Sequence, residues 1–168
     1  MIFSSLLVPD RVFRSFEEIT PAFLKEKGIK HIISDIDNTL SPYEEPTPPE
    51  RVIHWIGELQ KEGIALSLVS NNHPDRVSLY AASLGVFTFP EAKKPFRKGI
   101  LLAMKEIGSG EKDTCVLGDQ LFTDILAGKR CGLRAYFVPP IKDRTDLFQK
   151  TKRLLEKPYL RQYERKNP

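Results

Sequence analysis

The sequence predicts an α/β fold: a Rossmann-like three-layer sandwich around a central parallel sheet of about five strands. Three observations predict it. Short β-prone runs alternate with helical stretches from His31 to Val138, the order expected of right-handed βαβ crossovers. The run Ile64-Ala65-Leu66-Ser67-Leu68-Val69 is almost wholly apolar, as in strands buried on both faces. Polar and acidic residues directly follow the strand candidates, where ligands bind on such sheets.

Each element has its own signal. His31–Ser34 is a β-prone run entering Asp35. A helix is expected over Pro48–Glu62, with Val52, Trp55, Ile56 and Leu59 on one face. Thr47 is its expected N-cap, Pro48 its first residue, Glu50 the capping-box partner and Gly63 its stop. A second helix is expected over Pro74–Leu84, ending at Gly85, and Phe87–Phe89 reads as a third strand. A third helix follows over Arg97–Ile107, with Ile100, Ala103, Met104 and Ile107 inward. Thr114–Leu117 is the fourth strand, Thr123–Lys129 a short helix and Arg134–Val138 the fifth strand. Residues 1–30 read as a helical segment packing on the core, with helix starts at Ser15–Glu18 and at Thr20-Pro21. Residues 31–149 read as the main α/β domain and 150–168 as a basic tail.

Composition sets the outer bounds. The 168 residues are 40% apolar and 29% charged, which excludes collagen-like and low-complexity classes and suits one domain with a real core. No apolar run is long enough to span a bilayer, and the N-terminus lacks the basic region and cleavage site of a signal peptide. Cys115 and Cys131 make neither a disulfide framework nor a metal spacing. A reduced, cytoplasmic setting is the expectation. The net charge of +4 is uneven: residues 150–168 hold seven basic and two acidic residues. Such a tail attracts phosphates, or it is simply a solvated helix end. It carries no nucleic-acid-binding motif, and nucleic acid is not an expected partner.

Asp35, Asp37, Asp119 and Asp124 follow the first and fourth strands. Carboxylates 4 Å apart repel by about 1 kcal/mol per pair in water and roughly 4 kcal/mol at an effective dielectric near 20. A bound cation, or protonation of one member, makes such a cluster tolerable. An all-oxygen donor set without His or Cys suits a hard ion, Mg²⁺ above all. Thr39, Ser70, Asn71 and Lys94 on the same rim are phosphate-binding candidates. Lys94 is chosen over Lys93 only for its proline neighbour. A carboxylate here can attack phosphorus, and a second acid must protonate the leaving oxygen. Asp35 and Asp37, two residues apart, can divide those roles. The plain alternative is that these residues cap turns and that Thr123 caps a helix.

Asp35-Ile36-Asp37-Asn38-Thr39 resembles the DxDxT motif of the haloacid dehalogenase-like (HAD) phosphatases. Ser70, Lys94-Pro95 and the block Gly118 to Asp124 resemble their second, third and fourth motifs. The set, with Leu40 and Ser70-Asn71-Asn72, is similar to the YqeG-type subfamily of class IIIA, related to mitochondrial-type phosphatidylglycerophosphate phosphatases. The resemblance implies a HAD-like fold, Asp35 as nucleophile and Asp37 as general acid/base. It implies Mg²⁺ held by the Asp35 and Asp119 side chains and the Asp37 carbonyl, with Asp124 acting through water. Ser70 and Lys94 would hold the phosphoryl group.

Neither the Leu40–Pro49 stretch nor the Ser70–Lys94 stretch has room for a cap domain. An uncapped rim favours a large phosphomonoester, such as a lipid phosphate. Leu6-Leu7-Val8 and Phe13, with the basic tail, could touch an anionic membrane, or these apolar residues pack on the core. A soluble sugar phosphate, nucleotide or phosphoprotein is the alternative substrate, and a metal-binding scaffold working through its tail is the alternative of another class. His31, His54 and His73 lack ligand spacing; His73 and Tyr43 lie near enough to the rim to touch substrate.

Overall fold

A computed structural model describes residues 5–142 and 147–167. Its strands are β1 (Arg11–Val12), β2 (His31–Ser34), β3 (Ala65–Val69), β4 (Phe87–Phe89), β5 (Thr114–Gly118) and β6 (Arg134–Phe137). They form one sheet in the order β1-β6-β5-β2-β3-β4, with every pair parallel. The helices are α1 (Pro21–Glu26), α2 (Glu50–Lys61), α3 (Pro74–Ala81), α4 (Lys98–Ile107), α5 (Leu126–Arg130) and α6 (Leu147–Lys166). A π-helical turn over Leu121–Ile125 leads into α5.

Strand alternation sorts the core into two faces. Ile32, Leu66, Leu68, Cys115 and Leu117 pack with Val52, Ile56, Leu59, Val77 and Tyr80 of α2 and α3. Ile33, Val69 and Val116 pack with Ile100, Ala103, Met104 and Ala127 of α4 and α5. Helices thus cover both faces of a parallel sheet, as the apolar strands require. The order steps from β2 to β3 and β4 on one side, and to β5 on the other. That reversal opens a crevice beyond the carboxyl ends of β2 and β5. Register brings the two ends level: Ser34 pairs with Leu117 and with Leu68, so Asp35, Gly118 and Val69 stand side by side.

The parallel sheet of about five strands is as expected, its sixth being the two-residue edge β1, paired with Tyr136 and Phe137. Other expectations need correction. Helix α2 begins at Glu50 after Pro49, and Pro49 makes no side-chain cap. Thr47 and Pro48 each precede a proline, which pushes a residue out of the helical region. A cap at Thr47 with a box to Glu50 is therefore excluded. Ile107, expected inward, is 38% exposed, because it is the final residue before Gly108 ends α4 in the left-handed region. Leu7 and Phe13 are buried in the core, which withdraws them from any bilayer. Trp55 is core as expected, and its indole N–H donates to the Ile19 carbonyl at 3.0 Å. Both cysteines are buried and free. Among the described residues no helix is long and apolar enough to cross a membrane. No domain is inserted between β2 and α2 or between β3 and β4.

Candidate active site

The turn after β2 builds the site's floor. The Thr39 and Leu40 amides donate back to the Ile36 carbonyl, and the Asn38 amide to Ser41. Asn38 takes a φ of 63°, which asparagine tolerates better than most residues. The tight reversal leaves Asp35 and Asp37 at the strand end. Asp35 is anchored by its amide, which donates to the Leu117 carbonyl at 3.0 Å.

Asp35, Asp119 and Asp124 each bring one carboxylate oxygen within 4.8 Å of the others, and all three are buried. Lys94 lies among them. Its ammonium sits 2.8 Å from Asp35 Oδ1 and 2.7 Å from Asp124 Oδ1, and it donates to the Val69 carbonyl at 2.6 Å. Lys93 is exposed, with a φ of 51°, so Lys94 is the lysine that reaches the carboxylates. The Lys94 backbone is fixed by Asn71, whose Oδ1 accepts from the Lys94 amide at 2.6 Å and whose Nδ2 donates to its carbonyl at 3.2 Å.

Burial pushes the Asp35 carboxyl well above the usual carboxylate range, against the pull of Lys94, and Asp124 and Asp119 push it further. Asp119 is raised for the same reason, by burial and then by Asp124, with Arg153 opposing. Burial alone would depress Lys94, but Asp124 and Asp35 overcome it and hold the ammonium above the normal lysine range. The cluster therefore resists full ionisation until a cation arrives. Three convergent carboxylate oxygens without imidazole or thiolate fit a hard divalent ion.

The Asp37 carboxylate stands outside that cluster. It accepts from Asn72 Nδ2 and from Arg76 Nη2, each at 3.0 Å. Ser70 is buried beside it, and its hydroxyl accepts from the Asn72 amide at 3.1 Å. Thr39 faces Asp119, its hydroxyl 3.4 Å from Oδ1. Asp35, Asp37, Ser70, Asn71, Lys94 and Asp124 line one cavity of about 740 Å³; Thr39 and Asp119 are not among its lining residues. Tyr43 and His73 also line it.

Arg153 and Glu156 belong to the site as well, and the sequence reading passed them over. The helix α6 is not a solvated end. Arg153 pairs with the Asp119 carboxylate and donates to its carbonyl, and its Nη1 is 2.9 Å from Glu156. Glu156, 1% exposed, accepts from the Leu121 amide at 2.8 Å. Its signal was an acid three residues after an arginine in an otherwise basic run. Arg76 also reaches the site through its pairing with Asp37, for which the sequence offers no local signal.

Comparison with known proteins identifies the family. Residues 16–132 match a family described as haloacid dehalogenase-like hydrolase. The chain is 35% identical over 159 residues to "Probable phosphatase YqeG" of Bacillus subtilis, covering 95% of this chain and 92% of that one. The cobalt-bound deoxy-D-mannose-octulosonate 8-phosphate phosphatase of Haemophilus influenzae superposes with a TM-score of 0.56 at 17% identity, over 83% of this chain and 92% of that one. CbbY of Rhodobacter sphaeroides, solved with phosphate, gives 0.58 at 14% identity, over 71% and 90%. At these identities the two structures bear on the fold alone.

Proposed function

Because this chain belongs to the haloacid dehalogenase-like hydrolases and is a phosphatase of that family, we propose that it hydrolyses phosphomonoesters through an aspartyl-phosphate on Asp35, with Mg²⁺ as its ion. The observation that carries the reading is the convergence of Asp35, Asp119 and Asp124 around Lys94.

Asp35 and Asp119 would hold the ion by side chain and Asp124 would complete the set. The Asp37 carboxylate is engaged by Asn72 and Arg76, so Asp37 would contribute its carbonyl. When bound, the ion neutralises phosphoryl oxygens and lowers the repulsion between nucleophile and substrate. Lys94 adds to that from a fixed position, since Asn71 clamps its backbone.

An Asp35 oxygen attacks phosphorus, the new O–P bond forms, and the ester P–O bond breaks. Asp37 would take up a proton from solvent and pass it to the departing alkoxide. It then takes a proton from water as that water attacks the phosphoryl group, and the Asp35–phosphorus bond breaks. The products are the alcohol and inorganic phosphate. Ser70, at the end of β3, would hold a phosphoryl oxygen, and Thr39 would keep Asp119 in place. Phosphatidylglycerophosphate, implied by the subfamily resemblance, is consistent with a rim that no inserted domain covers. An intact pair Asp35 and Asp37 beside a buried lysine speaks for catalysis over a scaffold role.

The test is Asp35→Asn assayed on an aryl phosphate with Mg²⁺. The expected outcome is loss of turnover by at least about 10³-fold with an unchanged circular dichroism spectrum. Turnover at the level of the unsubstituted protein removes Asp35 as nucleophile.

A further inference from the structure

We propose that Arg153 is a positioning residue for the ion site: it orients the Asp119 carboxylate, so that docking of α6 and binding of the divalent ion strengthen each other. This rests on the reading above, in which Asp119 is an ion ligand.

Three consecutive residues after β5 are each gripped by α6. Arg153 pairs with Asp119, Lys152 donates to the Gln120 side chain, and Glu156 accepts from the Leu121 amide at 2.8 Å. The Gln120 amide in turn donates to Asp124 Oδ2 at 3.2 Å, so the grip extends to a second carboxylate of the cluster. Asp119 is held twice. One guanidinium donates both to its backbone carbonyl and to its Oδ2. A rigid planar fork on both ends of one residue fixes the side-chain torsion between them. A carboxylate has two oxygens, and this leaves Oδ1, which faces the Thr39 hydroxyl at 3.4 Å, as the one available to an ion. Lys94 pairs with Asp35 and Asp124, while Asp119 is held by Arg153.

A cation beside an ion ligand would by itself repel the ion. Glu156 offsets that repulsion. Its carboxylate lies 2.9 Å from Arg153 Nη1 and is buried, so the pair is neutral as a unit and Arg153 orients Asp119 without lowering the negative charge of the site. Asp35, Asp37, Asp119, Asp124 and Glu156 stand against Lys94, Arg76 and Arg153, which leaves two negative charges for one divalent ion to match. Orientation is thus the contribution of α6 to the ion. Groups that hydrogen-bond a ligating carboxylate set metal affinity by about 10–100-fold. By linkage, whatever the docked helix adds to ion binding, the bound ion returns to the docking of the helix. Tyr159, packed edge-on against Phe122 at 6.2 Å, anchors α6 one turn further along.

The test is calorimetric Mg²⁺ binding to the full chain, with thermal unfolding of each protein in EDTA. Two variants hold the net charge constant. R153K keeps the cation and loses the fork. R153M/E156Q removes both charges together, and the glutamine oxygen can still accept from the Leu121 amide. Each should bind Mg²⁺ about tenfold more weakly or worse. Equal or tighter binding by either variant overturns the proposal whatever happens to Tm, since a merely structural role lowers Tm and leaves the affinity alone. Hydrogen exchange of the α6 amides is the second readout, and it needs no variant. Saturating Mg²⁺ should slow exchange at least about threefold in the unsubstituted protein, and R153K should lose most of that protection. Unchanged or faster exchange with Mg²⁺ overturns the proposal, as does absence of Mg²⁺ binding by the unsubstituted protein. Turnover of an aryl phosphate is measured alongside. Mg²⁺ binding that depends on Arg153 without turnover removes the phosphatase reading and leaves this role of Arg153 standing; turnover with Mg²⁺ binding indifferent to Arg153 does the reverse.

Discussion

Gly118 closes β5 directly against Asp124, and adding one methyl group there tests the geometry of the whole acidic cluster proposed to hold the ion. A Cβ on Gly118 would lie 2.2 Å from Asp124 Cβ, 2.4 Å from Cγ and 2.5 Å from Oδ2. Ordinary carbon contacts begin near 3.5 Å, so something must move by about 1 Å. The strand cannot. Gly118 lies between β2 and β6, paired with Phe137, and its carbonyl accepts from the Val138 amide. Asp124 must move instead, dragging the π-helical turn that carries it. Overpacking of this kind costs typically 1–3 kcal/mol. For a chain of this size that is a fall in Tm of roughly 3–10 °C. Displacing Asp124 from the proposed ion site should weaken Mg²⁺ binding by about 10–100-fold. The assay is calorimetric Mg²⁺ affinity with thermal unfolding of G118A, D124G and G118A/D124G. Removing the Asp124 side chain takes away the clash, so the methyl should cost at least about 1 kcal/mol less in the D124G background. The double variant still lacks the ligand and should not regain metal. A G118A protein with unaltered Tm and Mg²⁺ affinity would refute the packing of β5 on Asp124.

Two further predictions concern protons. His31 is fully buried between Ser67 and Ser109, 2.8 Å from each hydroxyl, and burial pushes its imidazole down to about 4 despite Asp113. The unfolded chain takes up this proton first as pH falls, so stability from this group is complete above about pH 6.5 and is lost from there down to about 4. The full loss is about 3 kcal/mol, read by urea unfolding at pH 7 and pH 4.5. H31N should flatten that slope, and an unchanged slope would show that the imidazole is not the source. On the proposed assignment, metal binding should also displace protons from Asp35 and Asp119, whose carboxyls are raised. Mg²⁺ affinity should therefore rise with pH near neutrality, with protons released in calorimetry across buffers of different ionisation enthalpy; no buffer dependence would contradict the raised carboxyls.

The strands and the acidic rim were legible because they rest on strong local signals. A run such as Ile64–Val69 has few other fates, and Asp35-Ile36-Asp37 and Gly118-Asp119 stand at the ends of such runs. What was lost follows from the limits of local signals. β1 is two residues long, too short to show a period, and exists because β6 offers it an edge. The start of α2 was misjudged because Pro48 fits a first helical position, while the clash from Pro49 acts on the residue before it. The roles of Asn71 and Asn72 were invisible for another reason. Asn71 grips Lys94 and Asn72 grips Asp37 across separations of 23 and 35 residues, and no pattern within one segment encodes such a pairing.

α6 is the instructive loss, because its attachment runs against the rule by which helices are found. A docked helix normally declares itself by an apolar stripe, yet Leu154 and Leu155 are 62% and 57% exposed. Pro158 lies inside the helix, where a proline costs about 3 kcal/mol in propensity. By pattern and propensity the segment looks detachable. It is secured by Tyr159 and Leu160 against the cluster around Leu121 and Leu126, and by the Arg153–Glu156 pair bound to Asp119 and Leu121. A buried acid such as Glu156 is tolerated only because the arginine and an amide satisfy it. A helix held this way puts charge against the catalytic rim where an apolar stripe would have put only bulk.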